Sequence, residues 1–302
     1  MISILAAPTN LGLRPPEPGA VPGTAKAPEA LRDAGLYRRL IALGAADAGV
    51  VLPGRYLDDV EVGAPRARNQ KAIVEHAIRL AARIGDELNQ SRTPLILGGD
   101  CSLLLGAGLA LSRRGRFGLV HIDGHTDFRH PDNTSQCASV AGEDLAVAVG
   151  RHRAALADIE GRRPYFRPDD TVHIGYRETD EHVQELRGVV SLVVSAQEVR
   201  EMGGGHWGRR VLDLLKDRGT SGYWLHLDVD VLDPIWMPAV DSPTPGGLAP
   251  AELMALLTEL VPSASGAEVT IFDPDLDPDG KLATFLTDLL ATGLSQLGMA
   301  TA

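Results

Sequence analysis

Two short runs constrain this chain more than anything else in it. They are His121-Ile122-Asp123-Gly124-His125-Thr126-Asp127 and His226-Leu227-Asp228-Val229-Asp230-Val231-Leu232-Asp233-Pro234. Each follows an apolar stretch and carries acidic or imidazole side chains at every second position. Side chains alternate across a β-strand, so this spacing places Asp123, His125 and Asp127 on one face, and Asp228 and Asp230 together on another. Four carboxylates and an imidazole meeting at strand ends repel one another without a counter-charge. A pair of divalent cations supplies it, and the oxygen and nitrogen donors suit ions of the Mn²⁺ type. A lone D-x-D is ordinary in a polar strand end; D-x-H-x-D together with H-x-D-x-D is not.

Composition narrows the setting. The 302 residues, 44% of them hydrophobic and 4% aromatic, suit a globular chain with a largely aliphatic core. A formal net charge of −11 argues against nucleic acid or an anionic membrane as partner. The start, Met1-Ile2-Ser3-Ile4-Leu5-Ala6-Ala7-Pro8, lacks the basic region of a secretory signal. No apolar run approaches the ~20 residues of a membrane span. Two cysteines, Cys101 and Cys137, make no disulfide scaffold. A reducing cytoplasm is therefore the expected location, with Cys101 available as a thiolate.

Short apolar runs alternate with helical patterns. Residues 2–7, 94–97, 117–122, 172–174, 189–194, 223–231 and 269–272 read as strands buried on both faces. Residues 71–89, 181–186, 207–216, 250–260 and 283–297 read as helices. The alternation predicts a single α/β domain over 1–302, a three-layer sandwich around a central, mainly parallel sheet. Active sites in such sheets lie at the carboxyl ends of the strands, where the two runs fall. The polar stretch 129–142 is placed to wall that site.

Leu97-Gly98-Gly99-Asp100-Cys101-Ser102 is a third strand-end signal, its paired glycines allowing backbone to approach a crowded centre. The order G-G-D-C-S, then D-G-H-T-D, then D-V-D-x-x-D-P resembles the ureohydrolases: arginases, agmatinases, formimidoylglutamases and relatives. The likeness extends to Gly23-Thr24-Ala25-Lys26-Ala27-Pro28-Glu29-Ala30-Leu31-Arg32, to Ile174-Gly175-Tyr176-Arg177, and to the loop from Pro238 to Leu248. It implies an arginase-like fold and two Mn²⁺ ions per chain. Asp123 and Asp228 would bridge them, Cys101 and Asp127 would complete one site, and His125 and Asp230 the other. It further implies hydrolysis of a small molecule at a planar C=N carbon, with Asp127 relaying a proton, and a homo-oligomer, trimer or hexamer.

Three departures qualify the likeness. Cys101 stands where arginases carry a histidine ligand; a thiolate is softer and charged, which draws selectivity toward Zn²⁺ or Fe²⁺. Ala141 stands where arginases carry a proton-shuttling histidine, leaving nearby His130 as a replacement or as a merely solvated loop residue. Ile271 stands where the family has the guanidinium-binding glutamate. A guanidinium without that carboxylate loses about 1.5–3 kcal/mol. Asp273, two positions on, is either a displaced anchor or, with Asp275, Asp277 and Asp279, part of a solvated acidic loop. Arg129 and Ser242 are candidate substrate contacts, and His226 is either an orienting neighbour of the ligands or a satisfied core histidine. The leading expectation is hydrolysis of a linear C–N bond in a guanidino or amidino compound other than plain arginine or agmatine. The alternatives are a catalytically inactive metal-binding protein of the same fold and a zinc-dependent deacylase.

Overall fold

A computed structural model describes residues 1–61 and 64–300. Eight strands form one sheet: β1 (Ile2–Ala7), β2 (Ala46–Val50), β3 (Thr93–Gly98), β4 (Gly118–Ile122), β5 (Thr171–Tyr176), β6 (Leu192–Ser195), β7 (Tyr223–Asp228) and β8 (Gly266–Thr270). Their spatial order is β2-β1-β3-β8-β7-β4-β5-β6, and every neighbouring pair is parallel. Parallel pairing needs a crossover between strands, so helices cover both faces and the inner strands are buried throughout.

One face packs under helices Gln70–Asn89 and Leu103–Ser112, the other under Gly204–Asp217, Pro250–Leu260 and Lys281–Gly293. The first of these helices shows why such segments fold. Its apolar positions Ile73, Ala77, Leu80 and Ile84 recur on one face, and all are buried against the sheet. In contrast, the helix Leu103–Ser112 is apolar all round and buried all along.

The topology creates the site. β3 and β4 are consecutive in sequence, yet β8 and β7 lie between them. The chain departs in opposite directions from that point, opening a crevice at the carboxyl ends of the central strands.

The expected strands are present, that at 2–7 with its expected bounds and the others with shifted edges. The one covering 269–272 begins earlier, at Gly266, because the fully buried Glu268 hides its start in a hydropathy reading. β2 went unread; its sequence Ala-Asp-Ala-Gly-Val is that of a half-exposed edge strand with no apolar run.

Candidate metal centre

Each group at the crevice is brought there by a different strand. Cys101 lies between the end of β3 and the helix beginning at Leu103, fully buried. Gly99 permits this: a Cβ there would sit 1.8 Å from the Thr9 carbonyl oxygen. The run 123–127 lies beyond the end of β4, in a loop rather than a strand. Convergence there comes from turn geometry and not from strand alternation. The Asp123 carboxylate accepts from the His125 amide at 2.6 Å, and Asp127 adopts a left-handed φ of 42°. Asp228 ends β7, while Asp230 follows in a short 3₁₀ turn whose amide donates to Asp228 Oδ1 at 2.8 Å.

Two tight groups result. Donor atoms of Asp123, His125 and Asp230 lie within 4.8 Å of one another, as do those of Cys101, Asp123, His226 and Asp228. Asp123 belongs to both groups. Asp127 joins neither but lines the cavity above them, with Asp228 and Asp230. His226, left open from sequence, lies beside the cysteine-side group and equally beside His121 and Asp144 beneath it, with Nδ1 bound to Glu268 at 2.7 Å.

The electrostatics of the cluster call for a cation. Burial, with Asp127 and Asp230 nearby, pushes the Asp123 carboxyl well above the usual range. Burial and the neighbouring acids Asp144, Asp230 and Asp228 do the same to Asp127; burial, then Asp230 and Asp123, to Asp228. The Cys101 thiol is pushed up by burial and by Asp228, to which its Sγ donates at 3.0 Å. Asp230 is the exception. Burial works against its charge, but His125 at 2.9 Å, the Arg177 guanidinium and the Gly124 amide outweigh it and hold the carboxyl low. Asp123 Oδ2 is buried with no hydrogen-bond partner among the described residues. Orphaned buried oxygen, crowded acids and a thiol form a donor set that a pair of divalent ions fits.

Two side chains brace this centre. Arg177, nearly buried at the end of β5, donates to the carbonyls of Asp230, Leu232 and Thr244 and so ties the β7 turn to the following loop. Asp180 accepts from the Thr126 amide at 2.9 Å, the Thr126 hydroxyl at 2.7 Å and the His182 amide at 2.9 Å. Sequence reading missed Asp180, since an acid three positions beyond Arg177 carries no spacing signal.

Above the carboxylates lies a cavity of about 410 Å³, lined among others by His125, Arg129, Ala141, Ser242, Thr244 and Ile271. A neighbouring cavity of about 430 Å³ shares Arg129, Ala141 and Ser242. Arg129 sits at the rim with Glu181 at 3.7 Å. His130 lines neither cavity. Its Nε2 is bound to Glu185 at 2.9 Å, its Nδ1 faces the Asp132 amide and its ring stands edge-on to Phe128, so this buried imidazole is committed elsewhere. Ile271 is buried at a φ of 75°, a left-handed conformation costly for a β-branched residue.

Of the acids after Ile271, Asp273 and Asp277 are buried and Asp275 and Asp279 exposed, and Asp273 and Asp275 line the neighbouring cavity. Asp273 Oδ2 accepts from the Gly23 amide and Oδ1 from the Asp275 amide, and Asp277 accepts from the amides of Leu282 and Ala283. Asp273 thus caps turns and Asp277 a helix start.

The arginase family model matches residues 2–294. This chain belongs to the arginase family. It is 33% identical over 301 residues to the arginase of Bacillus caldovelox, covering 96% of this chain and 97% of that one. The solved structure of the Bacillus caldovelox arginase superposes with a TM-score of 0.85 at 30% identity, covering 97% of both chains. The proclavaminate amidino hydrolase of Streptomyces clavuligerus shares the fold, with a TM-score of 0.69 at 23% identity over 99% of this chain and 92% of that one. Family membership makes the chain a hydrolase of a binuclear-metal-dependent class, and groups of side chains that could hold a metal lie in the carboxylate cluster. No helix of the described residues is long and apolar enough to cross a membrane.

Proposed function

We propose that this arginase-family member hydrolyses a linear C–N bond of a guanidino or amidino compound other than plain arginine or agmatine. In this reading Cys101, Asp123, His125, Asp127, Asp228 and Asp230 hold two divalent ions, Mn²⁺ with Zn²⁺ or Fe²⁺ as alternatives. The observation that supports it is the cavity: its floor keeps the family's acids, while Ile271 and Ala141 stand in its walls. Ile271 offers a charged guanidinium no carboxylate at that position of the wall, which favours a modified guanidine or an uncharged amidine as the group presented there.

Two ions held by these residues supply the charge that acidifies a water and offsets the negative charge formed during attack. Asp127 lines the cavity, where its carboxylate would accept a proton from the attacking water. His125 Nε2, 3.2 Å from Thr244 Oγ1, is oriented by that hydroxyl. Arg129 and Ser242, on both cavities, position the remote end of the substrate. A proton carrier at position 141 is missing, and we assign none to His130. We further expect a cytoplasmic trimer or hexamer.

The test is release of urea or ammonia from a panel of guanidino and amidino compounds by metal-loaded protein. Turnover of a substituted guanidine or amidine above that of arginine and agmatine supports the reading. No release from any member of the panel by protein carrying both ions sinks it.

A further inference from the structure

The loop from Pro238 to Leu248 walls the cavity above the carboxylates and is fixed along its length. The Ala239 carbonyl accepts from the Asp273 amide at 2.9 Å, the Thr244 carbonyl accepts from Arg177 Nε at 3.1 Å, and the Gly246 amide donates to Asp233 Oδ2 at 2.7 Å. The first of these bonds lays segment 239–241 beside segment 271–273. Asp241 and Ile271 thus line the same cavity from adjoining stretches of chain. Asp241 lines the neighbouring cavity as well, so it stands where the two meet.

Asp127, Asp180, Glu181, Asp228, Asp230 and Asp241 are the acids of the first cavity. All but the last are committed. Asp127, Asp228 and Asp230 belong to the proposed ligand set. Asp180 is filled by the amides of Thr126 and His182 and by the Thr126 hydroxyl. Glu181 lies at the rim, its side chain 68% exposed, with Arg129 at 3.7 Å and His182 Nε2 at 3.2 Å. Asp241 remains. From other residues its carboxylate accepts a single hydrogen bond, from the Ser242 hydroxyl at a long 3.3 Å, and no ion pair reaches it among the described residues. It is also outside both tight donor groups of the centre.

Its surroundings leave that carboxylate short of a cation. The side chain is accessible to solvent within the crevice. Enclosure by the walls, with Asp230 adding to it, pushes the carboxyl up to about 6, while His125 opposes the rise. Asp241 in turn raises His125 and Asp127, which sets it against the open end of the cluster. A guanidinium brought to a floor that carries divalent ions needs an anion in the wall, and position 271 supplies none. A planar cation with N–H donors along its edge is the natural partner of a carboxylate whose oxygens are nearly free.

We propose that Asp241 receives the cationic group of the substrate, so that the compound this cavity takes is a substituted guanidine bound as its cation and not an uncharged amidine. Asp241 has this role on the reading that the C–N bond is cleaved in the cavity above the carboxylates. The acid that position 271 lacks is supplied by the adjoining segment, and it is a specificity-determining contact that holds no metal.

The test compares two probes of one shape and different charge, N-butylguanidine and N-butylurea, titrated calorimetrically into the Mn²⁺-loaded full chain. The wild type is expected to bind the cation more tightly. In Asp241→Asn that preference should fall by about tenfold or more, the loss of a charge-assisted hydrogen bond, with metal content by elemental analysis unchanged. Asp241 is accessible and nearly free of hydrogen bonds, so the variant keeps the fold. If N-butylguanidine is consumed, kcat/KM takes the place of its affinity. A preference equal in wild type and variant overturns the proposal, as does failure of the wild type to bind N-butylguanidine. Loss of metal from Asp241→Asn also overturns it, by making Asp241 part of the centre. A charge preference that depends on Asp241, without release of urea or ammonia from any compound, keeps this assignment and removes the hydrolytic reading. Release that is indifferent to Asp241→Asn does the reverse.

Discussion

The two ends of the carboxylate cluster face opposite environments. At the cysteine end, Cys101, Asp123 and Asp228 are buried, and each is pushed toward its uncharged form. At the histidine end, His125 opens on the cavity and pairs with Asp230, whose carboxyl is held low by that imidazole and by Arg177. The same residue chemistry thus behaves differently according to whether a protein cation is at hand. At the buried end no arginine stands beside Asp123 or Asp228, and His226 is paired with Glu268, so an incoming metal ion would supply the counter-charge; the open end is already half compensated and would give up an internal ion pair to bind one. Tighter, softer binding is expected at the cysteine end, and weaker, exchangeable binding at the histidine end.

Asp228→Ala abolishes that contrast altogether, because Asp228 contacts Cys101 and supports the Asp230 turn. Turnover should drop by about 10³-fold or more, the several kcal/mol of a metal-assisted step, and the ions of this centre should be lost. Retained stoichiometry in elemental analysis would show that the two ends are independent.

Replacing one end at a time is the sharper experiment. Cys101→Ala should lose the tightly held ion, and His125→Ala only the weak one. Calorimetric titration with Mn²⁺ and Zn²⁺ reads this directly. Equal losses of affinity from the two variants would erase the asymmetry argued from burial.

Asp180→Asn tests the scaffold of the histidine end. Removing charge from three accepted hydrogen bonds should cost about 1.5–3 kcal/mol in unfolding free energy. Burial opposes the Asp180 charge, but the Thr126 and His182 amides and the Thr126 hydroxyl outweigh it, so its folded pKa is lowered. Its stabilisation is therefore fully present above the unfolded value of about 3.9 and is lost as pH falls through the folded one. Denaturant unfolding between pH 6 and 3 should show this acid loss in the wild type and less of it in Asp180→Asn.

Smallest is the expected effect of Ile271→Glu, which returns an acid to the cavity wall. It should raise activity on arginine or agmatine relative to uncharged amidines by about tenfold, the lower part of a charge-assisted hydrogen bond. An unchanged kcat/KM ratio would mean that position 271 does not face the reacting group.

Much of the fold was legible because burial on both faces leaves a plain hydrophobic record. The helix 250–260 and the strand 2–7 were read with their observed bounds. Legibility failed where the chain departs from that record. Edge strand β2 has too little apolar surface to announce itself, and β8 carries Glu268 in its middle. In the site, residue types were readable and geometry was not. Asp123, His125 and Asp127 were placed on a strand face, but β4 ends at Ile122 and hydrogen bonds in the turn aim them. His130 is close to the site in sequence, yet Glu185, 55 residues away, takes its ring.

By itself, then, the sequence determined the class of fold, the donor types available for metal and the departures at Cys101, Ala141 and Ile271. Each of these depends on composition and local spacing, which a linear chain displays. Only the tertiary structure decided which donors meet. Cys101 reaches Asp228 across 127 residues because β8 and β7 are inserted between β3 and β4. It alone decided, too, that His121, His226 and Asp144 lie together beneath them. Strand periodicity fixes which face a side chain takes, but strand order fixes its neighbours, and that order follows from how helices and sheet bury one another.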